Sequence, residues 1–463
     1  MALERPITTG SPPFGHNGLV PDLPRRTVAR TARLAALPLG FAGRSAVGVG
    51  KRIGGAPAEA VMSEVQQRTA EQLFRTLGEL KGGAMKMGQA MSIFEAALPE
   101  EFAAPYRAQL TRLQDSAPPM SATLVREVLR RELGSQWRKQ LVEFDENPAA
   151  AASIGQVHKG RWYDGREVAI KVQYPGAGEA LRADLRQIAR LARTFGAIVP
   201  GMDIKPLVKE LQDRVAEELD YTLEAEAQSV FAAEFEADPD VVVPHVVAGT
   251  DKLLISEWLE SRSSIARLIA EGSQEERDHY AEHYVRFLFS GPARTGMLHA
   301  DPHPGNFRIL RTDSGGLGGL GVVDYGAVAR LPEGELPRSI GRLMRIAMLD
   351  DYDDVLEHLR AEGFVRPNIK IDPAELREYL GPFIEPARNE TFRFSRKWMR
   401  SQFQRLNDPR EPGYTMVLKL NLPPSYLLIH RVWVGGIGVL CQLEAEAPFR
   451  AILTESLPGF AED

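Results

Sequence analysis

Between Pro57 and Leu98 the apolar residues Val61, Val65, Leu73, Leu77 and Leu80 recur at helical spacings, until Lys81-Gly82-Gly83 interrupts them. That pattern predicts a helical extension near the N-terminus. A further helical run follows SAPPMSATL, and near Phe144 the texture changes to the short β-like pieces SIGQVHKGRW and EVAIKVQY, joined by Tyr163-Asp164-Gly165 as a two-stranded ribbon. From Pro206 to Glu236, Leu211, Val215, Leu219 and Leu223 stand four apart, with proline at the start and Asp238-Pro239 after the end; one long amphipathic helix is expected. Strand-like VVVPHVV and KLLISEW come next, and beyond Ser261 the chain reads as mostly helical except around 307–325. The expected organisation is therefore α+β: residues 1–24, rich in Pro and Gly, disordered; 25–120 a basic segment and helical extension; 121–260 a small mixed lobe; 261–463 a larger helical lobe.

Composition changes this picture little. A chain of 463 residues with 44% hydrophobic and 25% charged residues is ordinary globular material, and a net charge of -6 argues against a nucleic-acid partner for the chain as a whole. The single cysteine, Cys441, excludes an intrachain disulfide framework or a cysteine zinc cluster and suits a reducing compartment, so a cytoplasmic location is expected. The N-terminus lacks the apolar core of a signal peptide, and VWVGGIGVL, Val432 to Leu440, is too short to span a bilayer; no transmembrane helix is expected. One local exception is Pro24 to Ala58, which carries seven Arg and Lys residues and no acid. Within it RRTVARTARLAALPLGFAG reads either as an amphipathic helix lying on anionic lipid, a peripheral contact at the inner face of the membrane, or as a solvated face or a contact with the acidic body.

The candidate chemistry begins with SGGLGGLGVVDYG, in which Gly316, Gly318 and Gly321 match GxGxxG. A dinucleotide-binding loop needs a strand before it and a helix after it; here the glycines run into the apolar strand GVVD, so a hairpin loop between two strands is expected instead. Elsewhere VAIK ends in Lys171, LHADPHPGNF sets His299, Asp301 and Asn306 at the H-x-D-x-x-x-x-N spacing of a kinase catalytic loop, and VVDYG places Asp324 where kinases carry the DFG aspartate. Phosphoryl transfer asks for a Lys on nucleotide phosphates, oxygen ligands for a hard cation and a carboxylate near the attacking oxygen. Lys171, Asn306 with Asp324, and Asp301 supply those types in that order, with Mg²⁺ (or Mn²⁺) and ATP implied. Each residue has a bland reading: core histidines, a helix cap, a turn aspartate; the joint order and spacing favour the kinase reading. On the GxGxxGxV template the run AAAASIGQV puts Ala150, Ala152, Gly155 and Val157, with Ser153 between, where phosphate-loop residues belong; alanine lacks the freedom of glycine, so this loop is expected to hold nucleotide differently. Glu257 and Leu259, at the end of KLLISEW, complete the expected nucleotide contacts.

Six motifs, KMGQ (Lys86 to Gln89), AAAASIGQVH, VAIK, ELDYTLEAEAQ, HADPHPGN and DYG, occur between Lys81 and Leu331 in an order that resembles the UbiB family, the aarF-domain or ADCK-type atypical kinase-like proteins. The resemblance implies a protein-kinase-like bilobal fold. It also implies that the Lys-x-Gly-Gln motif folds over the cleft, with Lys86 meeting Glu218 and Asp220 of the family's Glu-x-Asp and Gln89 in the same regulatory cleft, and that Glu224 pairs with Lys171. Such a cover occludes a peptide substrate, and the family is associated with isoprenoid-lipid and quinone metabolism. Departures from kinase lettering include LPE at Leu331 to Glu333, too near DYG to enclose an activation loop, and the lack of the C-terminal membrane spans some members carry. A Mg²⁺-dependent atypical kinase or ATPase acting on, or regulated by, a lipid-related small molecule is the leading expectation. The alternatives are a small-molecule kinase of the aminoglycoside or choline type, whose loop HADPHPGN also resembles, and a nucleotide-binding pseudokinase switch.

Overall fold

The computed structural model describes residues 119–152, 154–179, 182, 204–312, 316–407 and 415–461. The helical extension, the basic segment, the KMGQ motif with Lys86 and Gln89, and Ser153 lie outside the described residues.

Ser121 caps helix α1 (Ala122–Leu133), its hydroxyl accepting from the Leu124 N–H. The chain then enters β1 (Leu141–Phe144), β2 (Ala150–Ala152), β3 (Gly155–Trp162) and β4 (Glu167–Gln173). With β6 (Val246–Gly249) and β7 (Leu253–Glu257) these make one six-stranded antiparallel sheet in the order β1-β3-β4-β7-β6, β2 pairing with β3. The expected ribbon is there: β3 and β4 run from Gly155↔Gln173 to Arg161↔Glu167, and Gly165 in the turn takes the left-handed φ of 95°. Alternation along β4 decides which residues see the cleft. Val168, Ile170 and Val172 are fully buried against Val125, Val128, Leu129 and Trp162, each worth about 1.5–3 kcal/mol of burial, so Ala169 and Lys171 face the opposite side.

The single helix expected over 206–236 is two: α2 (Ile204–Glu218) and α3 (Tyr221–Glu234). Asp220 causes the break. It sits in extended backbone as the N-cap of α3, and its Oδ1 accepts from both the N–H and the hydroxyl of Thr222. The four-residue apolar spacing continued across the cap, so the periodicity concealed it. Asp220 and Glu224 are thus cap and first-turn residue of one helix, and Glu218 ends the helix before it.

After β5 (Val241–Val242) and β8 (Ser261–Ser264) come α4 (Ile265–Glu271) and α5 (Gln274–Thr295), the latter opened by a Ser273–Glu276 capping box and closed by Gly296 in the left-handed region. Tyr280, Tyr284, Phe287 and Leu288 of α5 anchor the larger core. Strands β10 (Phe307–Leu310) and β11 (Leu320–Val322) form the expected hairpin, within a sheet ordered β5-β11-β10-β8, while β9 (Met297–His299) pairs with β12 (Val328–Arg330). The remaining described helices of eight residues or more are α6 (Arg338–Met348), α7 (Tyr352–Ala361), α8 (Pro373–Arg388), α9 (Arg396–Asn407), α10 (Leu427–Leu443) and α11 (Phe449–Ser456).

The apolar helical stretch at the C-terminal side is longer than VWVGGIGVL alone suggests: Pro424–Leu443 is long and apolar enough to cross a membrane by length and composition. Most of it is buried inside the fold, with Ile437, Val439, Leu440, Cys441 and Leu443 in the larger core, so it is the central helix of the helical lobe.

Within the sheet, His158 is wholly buried and its hydrogen bonds fix its proton. Nδ1 donates to the Asp145 carbonyl at 2.8 Å, which leaves Nε2 to accept from the Gln156 amide at 2.8 Å, while Gln156 Oε1 accepts from the Met120 N–H. Burial holds the His158 pKa below its ordinary value, against the raising effect of the Asp145 carbonyl. Between the lowered folded value and the unfolded value of about 6.5 the unfolded chain binds more protons, so this histidine makes stability fall as pH drops. Urea denaturation at pH 7.5 and 5.5 is expected to show lower stability at the acid pH, and His158→Asn a shallower pH slope, by up to about 1.4 kcal/mol per pH unit. An unchanged slope in the variant would assign the acid sensitivity elsewhere.

Candidate functional site

A cleft of about 600 Å³ opens between the cleft face of the six-stranded sheet and the β10–β11 hairpin, within the range of small-molecule sites. Its walls include Ala150, Ala152, Val157, Ala169 and Lys171 from the sheet, Glu224 and Gln228 from α3, Glu257 at the end of β7 with Trp258 and Leu259 after it, and Asn306, Arg308, Val323 and Asp324 below. Of the residues singled out in the sequence as nucleotide or cation contacts, the structure brings together Ala150, Ala152, Val157, Lys171, Glu224, Glu257, Leu259, Asn306 and Asp324. Gly155 does not join them. It lies buried under the strand, where a Cβ would come 2.2 Å from the Val172 carbonyl oxygen, so close backbone approach, and not ligand contact, demands glycine there. The alanine run is strand β2, registered Ala150↔Val157 and Ala152↔Gly155, and not an open loop.

At the inner end Lys171 Nζ lies 2.6 Å from Glu224 Oε1 and 3.0 Å from Asp324 Oδ1, and 5.2 Å above the Tyr221 ring. Burial alone lowers a lysine's pKa; here the Asp324 and Glu224 carboxylates outweigh it and hold the ammonium charged, well above its ordinary range. Position follows from the elements: Lys171 from alternation in β4, Glu224 from the first turn of α3 set by the Asp220 cap, and Asp324 from the turn after β11.

Asp324 adopts φ 70°, uncommon for a side-chain-bearing residue. The bend is held from both sides: its carbonyl accepts from His299 Nε2 at 3.0 Å, and its Oδ1 accepts from the Gly326 N–H at 3.3 Å. His299 in turn is wedged edge-on among Phe231, Phe287, Phe307 and Tyr325, and burial lowers its pKa, keeping the imidazole neutral. The expected core histidine is therefore also the brace of the Asp324 turn.

Below, Asn306 ends a 3₁₀ turn, Pro304–Asn306, capped by His303, whose Nδ1 accepts from the Gly305 N–H. The Asn306 amide nitrogen donates to Asp301 Oδ2 at 3.0 Å, so its amide oxygen is the end that could serve as a cation ligand. The other Asp301 oxygen, Oδ1, lies 2.8 Å from an Arg431 guanidinium nitrogen. Sequence reasoning missed Arg431, on α10. The signal was a basic residue immediately before a buried apolar helical run, which is costly unless the charge has a partner. Glu257 pairs with Arg166 at 3.0 Å. Lys86 and Gln89 lie outside the described residues, and so does the expected meeting of Lys86 with Glu218 and Asp220.

The donor set suits a hard cation: amide oxygen of Asn306 and carboxylate of Asp324. Among the described residues no group of three or more His, Cys, Asp or Glu stands ready to hold a metal ion unaided. A Mg²⁺ ion held by Asn306 and Asp324 would complete its shell with water and ligand phosphates.

The Asp301–Arg431 contact generates a measurable expectation. Asp301 is buried and Arg431 about one third exposed, so Arg431→Gln removes the counter-charge that Arg431 gives a buried carboxylate and is expected to cost about 1.5–3 kcal/mol in chemical denaturation. In the Asp301→Asn background the same substitution is expected to cost much less. Equal costs in both backgrounds would show that the two side chains are not energetically coupled.

The ABC1 atypical kinase-like domain matches residues 112–359. The chain is 28% identical over 356 residues to the mitochondrial atypical kinase coq-8 of Caenorhabditis elegans, covering 74% of this chain and 46% of that protein. It is 30% identical over 260 residues to the mitochondrial atypical kinase COQ8 of Saccharomyces cerevisiae, covering 56% and 50%. It is 30% identical to the AarF domain-containing protein kinase 1 of Mus musculus, covering 58% and 51%. The chain thus spans about half the length of these curated relatives. Among solved structures, Rv3197 of Mycobacterium tuberculosis, described in complex with erythromycin, superposes with a TM-score of 0.65 at 41% identity, over 88% of this chain and 100% of that one. Kinase-like in fold and matched over more than half its length, the chain belongs to the ABC1 atypical kinase-like family, the UbiB group that its motifs resemble.

Proposed function

We propose that the cleft binds an adenine nucleotide with Mg²⁺ (or Mn²⁺), and that the protein is an atypical kinase or ATPase whose second ligand is an isoprenoid or other lipid-related small molecule. The observation that carries this reading is the Lys171 ammonium held 2.6 Å from Glu224 and 3.0 Å from Asp324 inside a cleft of about 600 Å³. A nucleotide entering there meets a charged lysine for its phosphates, and Asn306 and Asp324 to share a divalent ion. The bound ion would neutralise charge on the phosphate oxygens. In transfer, the acceptor hydroxyl oxygen forms a bond to the terminal phosphorus as the bond from that phosphorus to the bridging oxygen breaks; the acceptor proton passes to the Asp301 carboxylate. Water in place of the acceptor makes the same step ATP hydrolysis. The naming of the mycobacterial relative with erythromycin favours a small organic molecule over a protein as the second ligand.

A second reading, a nucleotide-binding switch without turnover, draws support from Asp301, whose two carboxylate oxygens already face Arg431 and Asn306. A base so engaged accepts a proton poorly.

The test uses nucleotide-free full-length protein. Saturating ATP and Mg²⁺ are expected to raise its thermal midpoint, with about 2.7 kcal/mol of stabilisation at a hundredfold excess over Kd, and Asp324→Asn to abolish most of that rise. Phosphate release with and without liposomes carrying isoprenoid-like lipids then separates enzyme from switch. A thermal midpoint unmoved by nucleotide would overturn the proposal.

A further inference from the structure

Away from the cleft, two histidines of α5 face one another. His279 and His283 stand four apart on one side of the helix, their rings edge to face and their Nε2 atoms 3.0 Å apart. The Gly318 carbonyl oxygen lies 3.3 Å from the same His279 Nε2. Three atoms that carry lone pairs thus converge on one point, and a single Nε2–H on His279 would have to serve both of its neighbours. None of these three residues lines the nucleotide cleft.

The surroundings hold this geometry. Gly318 belongs to the connection between β10 and β11; its N–H donates to the Tyr280 hydroxyl at 3.0 Å, and a Cβ there would come 2.8 Å from the Leu310 carbonyl oxygen. A Cβ on Gly319 would come 2.9 Å from the Asp240 carbonyl oxygen, which accepts from the Leu320 N–H at 2.7 Å. Gly318, one glycine of the unused GxGxxG match, therefore lets the connection lie close enough for its carbonyl to reach α5. On the far side of the pair, His283 Nδ1 is buried without a hydrogen-bond partner and lies 3.9 Å from Asp240 Oδ2. Arg286, three residues further along the helix, is occupied by Glu282 and Glu455. Burial, and then the neighbouring His279, hold the His283 pKa below its ordinary value, so the ring is neutral near pH 7.

Neutral imidazoles are ligands for Zn²⁺, Cu²⁺ and Ni²⁺, whereas Mg²⁺ takes oxygen. Two nitrogens each about 2.0–2.1 Å from a tetrahedral ion stand about 3.3 Å apart, so a small opening of the present 3.0 Å pair seats one. Coordination through both Nε2 atoms puts the ring protons on Nδ1. The His283 Nδ1–H then faces Asp240, the kind of carboxylate to which metal-bound histidines donate, and the half-exposed Asp240 side chain has room to close the gap. A bound ion thus answers both the crowded Nε2 atoms and the orphaned Nδ1.

We propose that His279 and His283 bind a divalent transition-metal ion of the Zn²⁺ class through their Nε2 atoms, with the Gly318 carbonyl oxygen beside it and water completing the shell, and that this ion staples the β10–β11 connection to α5. Two imidazoles and one backbone oxygen are fewer than the four protein ligands of a structural zinc site, so the ion is exchangeable. The hairpin it grips runs from beside Asn306 to beside Asp324, so the staple acts on the strands that lead into the cleft.

The experiment is calorimetric titration of Zn²⁺ into chelator-treated, nucleotide-free full-length protein in excess Mg²⁺, with Co²⁺ absorption as the coordination probe and amide hydrogen exchange as the probe of the hairpin. Binding is read without nucleotide, so the outcome is independent of the nucleotide reading. Wild type is expected to bind one equivalent that His279→Asn and His283→Asn each lose, and Asp240→Asn is expected to weaken it about tenfold. Bound Zn²⁺ is expected to slow exchange at Gly318 to Val322 in wild type and not in His283→Asn. A wild type that binds no Zn²⁺, or an equivalent retained in full by both histidine variants, would overturn the site. Zn²⁺ bound with hairpin exchange unchanged would overturn the staple. Thermal midpoints without metal confirm folding of each variant. If a histidine variant fails to fold, the half-exposed Asp240→Asn and the wild-type Co²⁺ spectrum decide: unchanged affinity in the one, or the spectrum of the hydrated ion in the other, would overturn the proposal.

Discussion

Everything at the inner end of the cleft depends on keeping one ammonium charged where water is scarce. Moving a cation and two carboxylates out of water costs several kcal/mol per ion, and only close geometry offsets that. Lys171, Glu224 and Asp324 meet the requirement from three separate elements, so a shift in any one element weakens the charge match around the ammonium. The rigidity of the surroundings follows from this. Strand β4 is clamped between β3 and β7, α3 begins at a fixed cap, and the Asp324 turn is braced by His299 inside an aromatic cluster.

That brace ties the site to the core of the helical lobe. His299 touches Phe231 of α3, Phe287 of α5 and Phe307 of β10, while its Nε2 holds the Asp324 carbonyl. A neutral imidazole does both jobs: its ring packs among the aromatics while Nε2–H donates to the carbonyl, which leaves Nδ1 buried without a hydrogen-bond partner among the described residues. The left-handed backbone at Asp324 is thereby paid for by packing that extends across the lobe, the usual arrangement where strain is stored at a site.

Much of this was legible in the sequence because it rested on local chemistry. The Asp-Gly turn, the alternation in VAIK, the hairpin around the glycines and the spacing of Asp301 and Asn306 are properties of neighbouring residues, and each has its place in the fold. What escaped the reading depends on contacts distant in sequence. The cap at Asp220 interrupts an apolar rhythm that continues unbroken past it. The need for glycine at 155 comes from the Val172 carbonyl on the next strand, and Arg431 reaches Asp301 across 130 residues of chain. The length of the apolar helix was misjudged because His430 and Arg431 separate the apolar Leu427 to Ile429 from the run that begins at Val432. Residues Lys86 and Gln89 lie outside the described residues, so the cover they imply over the cleft keeps the standing of an expectation.

The placement of Arg431 bears on what counts as a unit of this protein. The stretch that similarity recognises as the family domain stops at residue 359, whereas the helix that supplies the counter-charge to Asp301 begins at Leu427. A boundary drawn by resemblance would cut away a side chain that touches Asp301, together with the core helix that carries it. Recognisable ancestry and mechanical completeness thus end at different points along this chain, and an excised fragment that keeps every motif would still be missing part of its own site.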